Sequence, residues 1–318
     1  KMFQLAENRQ ETGKELRSCV VETLQELMRE DDKVTALEAD LGGASGFTKI
    51  KETNPNRFIQ CGIAEANMIG VAAGLSVTGY KPFVHTFAPF ATRRVFDQLF
   101  LSGAYAGNTI NIYGSDPGFS VASNGGTHTS WEDVALMREI PGAVVCDPAD
   151  DVQMEWIIKE FSKIEGIHYV RANRKAVRNV YQKGSEFEIG KGNILKQGDD
   201  ILIIAAGQLV SEALDCAEAL EKEDISTEVI DMFTIKPLDE NLLIKEAKGK
   251  RKIVTIENHS VYGGLGSAVS EVMAENGIAV PLKRIGVKER FGQVGTADFL
   301  QKEFGLTADQ IKEAIFCS

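Results

Sequence analysis

The stretch RFIQCGIAEANMIGVAAGLSVTGYKPFVHTFAPF, Arg57–Phe90, sets a short β-rich run, a long run of small and apolar residues, and a second β-rich run in succession. Strand, helix, strand in that order is the repeating unit of a parallel sheet with helices on its faces. The same alternation extends outward. KVTAL precedes the stretch, and TINIY, GAVVC and IHYVR follow it, with helical patterns between most of them. These runs are nearly continuous in apolar residues, as strands covered on both faces must be. The rhythm breaks at QKGSEFEIGKGNILKQGDD, Gln182–Asp200, which is polar and glycine-containing. A second α/β series follows: DILIIAAG, a helix from about Ser211 to Glu221, STEVIDM, a helix after Pro237, KIVTIEN, a helix after YGGLGS, then PLKRIGV and two terminal helices. The expectation is an α/β protein of two domains with mainly parallel sheets, residues 1–185 and 186–318.

The bulk composition agrees. A chain of 318 residues with 43% hydrophobic residues has enough apolar material for two cores. A formal net charge of −11 argues against a nucleic-acid or acidic-membrane partner, since phosphate surfaces select basic ones. No run approaches the roughly 20 apolar residues of a membrane span, and the N-terminal residues lack a signal-peptide core. The five cysteines are scattered without C-x-x-C spacing, which fits reduced thiols in a cytoplasmic protein. The four histidines are too dispersed to define a metal site by spacing, so no metal ligands are expected on this chain.

Four stretches could carry chemistry. Glu65 is the one acid in the small-residue segment Gly62–Gly79, which has apolar side chains around its whole circumference and reads as a helix buried on every side. Gly70, Ala72, Ala73 and Gly74 would let another backbone approach, across a subunit contact for example. A carboxyl group there is pulled two ways, raised by burial and lowered by the helix N-terminus. Such a group can share a proton with a ligand nitrogen, although an acid that only satisfies first-turn amides would sit in the same place. Phe87 and Phe90 follow a strand, where they could form a stacking wall for a flat heterocycle or simply pack a core. The glycine-rich GSDPGFSVASNGGTHTSWED, Gly114–Asp133, places His128 on a loop at the sheet's C-terminal edge, where it could move a proton or could be an ordinary surface histidine. Thr129 and Glu132 have capping-box spacing. Arg171, Arg174, Lys175 and Arg178 cluster after IHYV, as an anion site or a solvated basic loop. Gly263, Gly264 and Gly266 are too few and wrongly spaced for a dinucleotide fingerprint and suit a tight turn.

Taken in order, GIAEANM, HTFAPF…RRVFDQ, NGGTHTSWED, RANR and ENHSVYGGLGSAVSE resemble the C-terminal portion of a transketolase, its pyrimidine-binding domain followed by its C-terminal domain. The resemblance covers the chain from about Gly13 onward. It implies a thiamine-diphosphate-binding fold and the transfer of a two-carbon ketol unit from a ketose to an aldose. Glu65 matches the glutamate that bonds N1′ of the aminopyrimidine. Phe87 and Phe90 match the pocket around that ring, and Asp40 falls among the cofactor-binding positions. His128 matches a substrate-facing histidine. Arg17, Ser45 and Arg174 match positions that hold the phosphate end of a sugar, with Arg171 as a nearby alternative. Asn124 stands where many relatives carry an aspartate, a departure that bears on sugar specificity. The family's G-D-G diphosphate and Mg²⁺ motif has no counterpart here, and QGDD (Gln197–Asp200) reads as a turn. The resemblance therefore implies the smaller subunit of a split transketolase, with Mg²⁺ ligands on an N-terminal partner chain and an (αβ)₂ assembly. The β subunit of a 2-oxo acid dehydrogenase E1 component, a 1-deoxyxylulose-5-phosphate synthase-like enzyme and a non-catalytic regulatory subunit share the same plan.

Overall fold

The computed structural model describes residues 2–317. Each apolar run of the first half becomes a strand: β1 (Val34–Glu38), β2 (Phe58–Gln60), β3 (Lys81–Phe87), β4 (Ile110–Ser115), β5 (Val144–Cys146) and β6 (Ile167–Ala172). The second half supplies β7 (Asn193–Lys196), β8 (Ile201–Ala205), β9 (Thr227–Asp231), β10 (Thr234–Lys236), β11 (Lys252–Ser260) and β12 (Leu282–Val287). Two sheets result, one in the order β10-β5-β6-β4-β3-β1-β2 and the other β12-β11-β8-β9-β7. All pairs are parallel except two at sheet edges, β10 on β5 and β7 on β9. β7 lies in the polar stretch Gln182–Asp200, where the sequence allows short alternating strands at most, whereas β10 escapes the sequence reading. The molecule is thus two α/β domains with mainly parallel sheets, except that β10 leaves the second half of the sequence to complete the sheet of the first.

Helices cover the sheets with amphipathic faces. Helix Leu16–Glu30 buries Leu16, Val20, Leu24 and Met28 at helical spacing and packs on helix Asp151–Phe161. The apolar core continues from these residues through Cys146 and Phe233 to Val210, Ala213 and Ile256, so it runs unbroken between the two sheets. Helix Leu265–Glu275 starts at the YGGLGS turn. Its first amides, Leu265 and Gly266, donate to the buried Glu257 carboxylate at 2.8 and 3.0 Å. The helix end that a dinucleotide fold offers to phosphate is therefore already filled by a side chain of this chain.

Two expectations need correction. Helix Glu65–Val77 is not buried on every side: Asn67, Gly70, Gly74 and Val77 form an exposed stripe, with Val77 73% and the preceding Ile63 77% exposed. An apolar circumference does not say how many neighbours belong to the same chain. Thr129 also caps no helix. Its hydroxyl donates to the Gly125 carbonyl, helix Asp133–Glu139 begins four residues later, and Glu132 turns back to accept from the Trp131 amide.

Candidate functional site

In a parallel sheet all strands point the same way, so their C-terminal ends gather side chains from distant parts of the sequence. Three non-glycine residues lie there in the left-handed region: Asp40 after β1 (φ 60°), Asp116 after β4 (φ 52°) and Ala122 in the following loop (φ 52°). Backbone held in this way tends to collect at functional sites. The Gln60 side chain accepts from the amides of Asp40 (2.8 Å) and Gly62 (2.9 Å), which fixes both the turn after β1 and the approach to Glu65.

Glu65 is the first residue of its helix and is buried, and its Oε1 accepts from the Arg94 guanidinium at 2.6 Å. That guanidinium lies 3.7 Å from the centroid of the Phe90 ring. Phe87, Phe90 and His128 make a mutual cluster, with ring centroids 6.2 Å apart for the two phenylalanines and 5.7 and 5.2 Å from each to His128. His128 Nδ1 pairs with Thr127 Oγ1 at 2.9 Å, which leaves Nε2 for another partner. Arg174 stands over the Phe87 ring at 4.8 Å and is anchored to Asp116 through its backbone amide (2.9 Å) and its side chain. Burial raises the Asp116 carboxyl, and Arg174 opposes that rise. The Arg17 amide donates to the Arg174 carbonyl at 3.1 Å, and its guanidinium reaches the Ala44 carbonyl at 3.2 Å. Asp40 and Asn124 are exposed at the same edge. Glu65, Phe87, Phe90, His128 and Arg174 therefore form one surface, with Arg17, Asp40 and Asn124 on elements that border it.

Ser45 and Arg171 do not join it. Ser45 is fully buried and its hydroxyl donates to Glu38 at 2.8 Å, so it has no surface to offer a phosphate. Arg171 is also fully buried. It donates to Asp133 (2.6 Å), Asp147 (2.8 Å) and the Asn258 carbonyl (2.9 Å), with its charge consumed by two carboxylates. Residue type marks both as polar contacts; only tertiary structure shows that their partners are internal.

Sequence reasoning missed Arg94, Gln60 and the buried set Glu38, His85 and Ser115. His85 Nδ1 lies 3.0 Å from Glu38 and Nε2 lies 2.8 Å from Ser115 Oγ. The connectivity is that of a nucleophilic triad, but all three residues are sealed from solvent, so it serves as a polar brace between strand ends. The signal for Arg94 was its place in RRVFDQ, a few residues after FAPF. Cavities of about 600 Å³, under the N-terminal segment, and about 380 Å³, beside Arg17 and Gly43, lie off the aromatic cluster. Among the described residues, no three of His, Cys, Asp and Glu converge to hold a metal ion, and no helix is long and apolar enough to cross a membrane.

The pyrimidine-binding domain of transketolase matches residues 13–180, and the C-terminal domain of transketolase matches residues 190–311. This chain belongs to the transketolase family. It is similar to the 6-deoxy-6-sulfo-D-fructose transketolase subunit SqwH of Clostridium sp. (strain MSTE9), at 45% identity over 94% of this chain and 92% of that one. It is similar to one of the subunits of the apulose-4-phosphate transketolase of Phocaeicola vulgatus, at 35% identity over 93% and 94%. A solved split-gene transketolase, described as an inactive β4 tetramer, superposes with a TM-score of 0.86 at 38% identity, over 95% of this chain and 97% of that one. Transketolases use thiamine diphosphate, and the site passes a test of fit for its aminopyrimidine. Arg94 shows that a flat, cationic N–H donor can stack on Phe90 and reach Glu65 together.

Proposed function

We propose that this chain is one subunit of a two-chain, thiamine-diphosphate-dependent transketolase. It acts with an N-terminal partner that holds the diphosphate and Mg²⁺, in an (αβ)₂ assembly, to move a two-carbon ketol unit from an anionic ketose to an aldose. The observation that carries this reading is the buried Glu65 carboxylate facing a planar donor stacked on Phe90. When bound, the cofactor supplies the carbon nucleophile that accepts and returns the ketol unit. Glu65 holds a proton at its carboxylate oxygen against the ring nitrogen N1′, in a dry setting that strengthens the contact. Phe87 and Phe90 orient the ring and exclude water. His128 presents Nε2 to a substrate oxygen. Arg174 and Arg17 face the anionic tail, Asn124 a sugar hydroxyl, and Asp40 borders the cofactor.

The named relatives act on a sulfonated and a phosphorylated sugar, and an arginine fork accepts either anion. The exposed Asn67–Gly70–Gly74–Val77 stripe supports a subunit contact. The free cysteines support a reducing, cytoplasmic setting. We retain two domains joined near residue 185.

The test is reconstitution with the diphosphate-binding partner. Ketol transfer from a phosphorylated or sulfonated ketose should appear for the pair and be absent for this chain alone. Decarboxylation of a 2-oxo acid by the pair, without ketol transfer, would overturn the reading.

A further inference from the structure

The loop that carries His128 belongs to the first half of the chain, yet the second half holds it at three places. At its start, Asn258 Oδ1 accepts from the Phe119 amide at 3.1 Å and Asn258 Nδ2 donates to the Pro117 carbonyl at 3.1 Å. At its end, the Ser260 amide donates to the Trp131 carbonyl at 2.9 Å. Between them, residues 292–294 lie against Gly125, Gly126 and Thr129, on both sides of His128. The Gly125 carbonyl accepts from the His128 amide and from Thr129 Oγ1, each at 3.0 Å. The turn that bears the imidazole and the face that meets residues 292–294 therefore move as one piece.

The fit at this contact is tight. A Cβ on Gly126 would stand 2.5 Å from the Gly292 carbonyl oxygen, and one on Gly125 would stand 2.8 Å from a Val294 methyl. A Cβ on Gly292 would fall within the Thr129 side chain. Neither Gly126 nor Gly292 has a positive φ. Close approach, of the Gly292 backbone at Gly126 and of the Thr129 side chain at Gly292, is what calls for glycine at both positions, not a special conformation.

We propose that the C-terminal half is a positioning frame for His128, with the Gly126–Gly292 contact setting how the imidazole stands against Phe87 and Phe90. The inference rests on the proposed reading that His128 faces substrate. A methyl group at Gly126 pushes on the Gly292 backbone and one at Gly292 pushes on the Thr129 side chain, so either displaces the turn that bears His128 from residues 292–294 while both sheets stay intact. Misplacing a reacting group by about 1 Å can cost on the order of 10²-fold, so a wedge of about half that should cost roughly tenfold in kcat.

The test uses Gly126→Ala and Gly292→Ala in the complex with the diphosphate-binding partner. Each should lower kcat for ketol transfer roughly tenfold and leave thiamine diphosphate affinity and the melting temperature near wild type. In a His128→Ala background neither should lower kcat further, because the frame acts through that side chain. Wild-type kcat in both glycine variants beside an impaired His128→Ala would overturn the frame alone, as would additive losses in the double variants. Wild-type kcat in His128→Ala itself would overturn the role given to His128, and the frame with it. Should either alanine variant fail to fold, Val294→Ala replaces it, since it trims the contact with Gly125 without a clash. It should lower kcat in the same direction, and unchanged kcat would count against the frame.

Discussion

Glu65 owes its chemistry to the point where its helix begins: Ile63, two residues earlier, is exposed, and Met68 and Ile69, one turn later, are buried among apolar neighbours. In the reconstituted enzyme, Glu65→Gln should cut turnover by several orders of magnitude while circular dichroism stays that of the wild type, because the amide cannot hold the same proton. A variant as active as wild type would leave only a regulatory role. Arg94 occupies the place the reading gives to the cofactor ring, so ring and guanidinium compete for Phe90 and Glu65. An exposed cation–π contact is worth about 0.5–1 kcal/mol. Arg94→Ala should therefore tighten thiamine diphosphate binding, measured by fluorescence titration of the complex, by roughly two- to fivefold. Weaker binding would make Arg94 a direct contact of the cofactor. The placement of Glu65 at a helix start, of Phe87 and Phe90 at a strand end and of His128 on a loop was legible because each rests on a short segment of local context. The burial of Ser45 and Arg171 was not legible, since burial and choice of partner are properties of the tertiary fold.

Among the elements, β6 shows what a buried cation does. Arg171 ties the loop strands of the first sheet to helix Asp133–Glu139 and to the end of β11. Burial raises the Asp147 carboxyl to about 6 even against the pull of its ionised partner Arg171, so removing the arginine leaves two acids without a counter-charge. Breaking one side of a buried pair costs about 3–5 kcal/mol. Arg171→Leu should lose about that much in urea unfolding, whereas a substrate-anion contact would show instead as a higher KM at unchanged stability. The long parallel strands were readable because each is an unbroken apolar run. The edge strand β10 was not, since Thr234–Lys236 follows STEVIDM with no turn signal between them and pairs with β5 of the other half; β7 was legible only as a short strand within the polar join. The capping box failed for a related reason: Thr129 found a carbonyl four residues back in a tight turn, a competitor that spacing alone does not reveal.

For the whole molecule, buried titratable groups set how stability follows pH. Burial raises Asp231 and Glu257 from ordinary carboxyl values to about 7. Between about 4 and 7 the folded chain keeps these protons while the unfolded chain has released them, so stability falls as pH rises through that window. Burial lowers His168 and His259 to about 4, with the opposite slope: stability falls as pH drops from 6.5 toward 4. Wild type should therefore lose stability between pH 5 and pH 8 in urea titrations, and Asp231→Asn should lose less over the same interval. An equal loss in both would show that Asp231 does not carry its proton into the fold. The strand β10 has a separate consequence. A shortened chain that stops near residue 185 would leave Val144–Cys146 with unpaired amides and carbonyls along one rim, besides uncovering the apolar core it shares with the second half. Rims of that kind recruit strands from other molecules, so such a fragment should come out of expression as clumped material, and restoring solubility would require the segment Thr234–Lys236 to be grafted back.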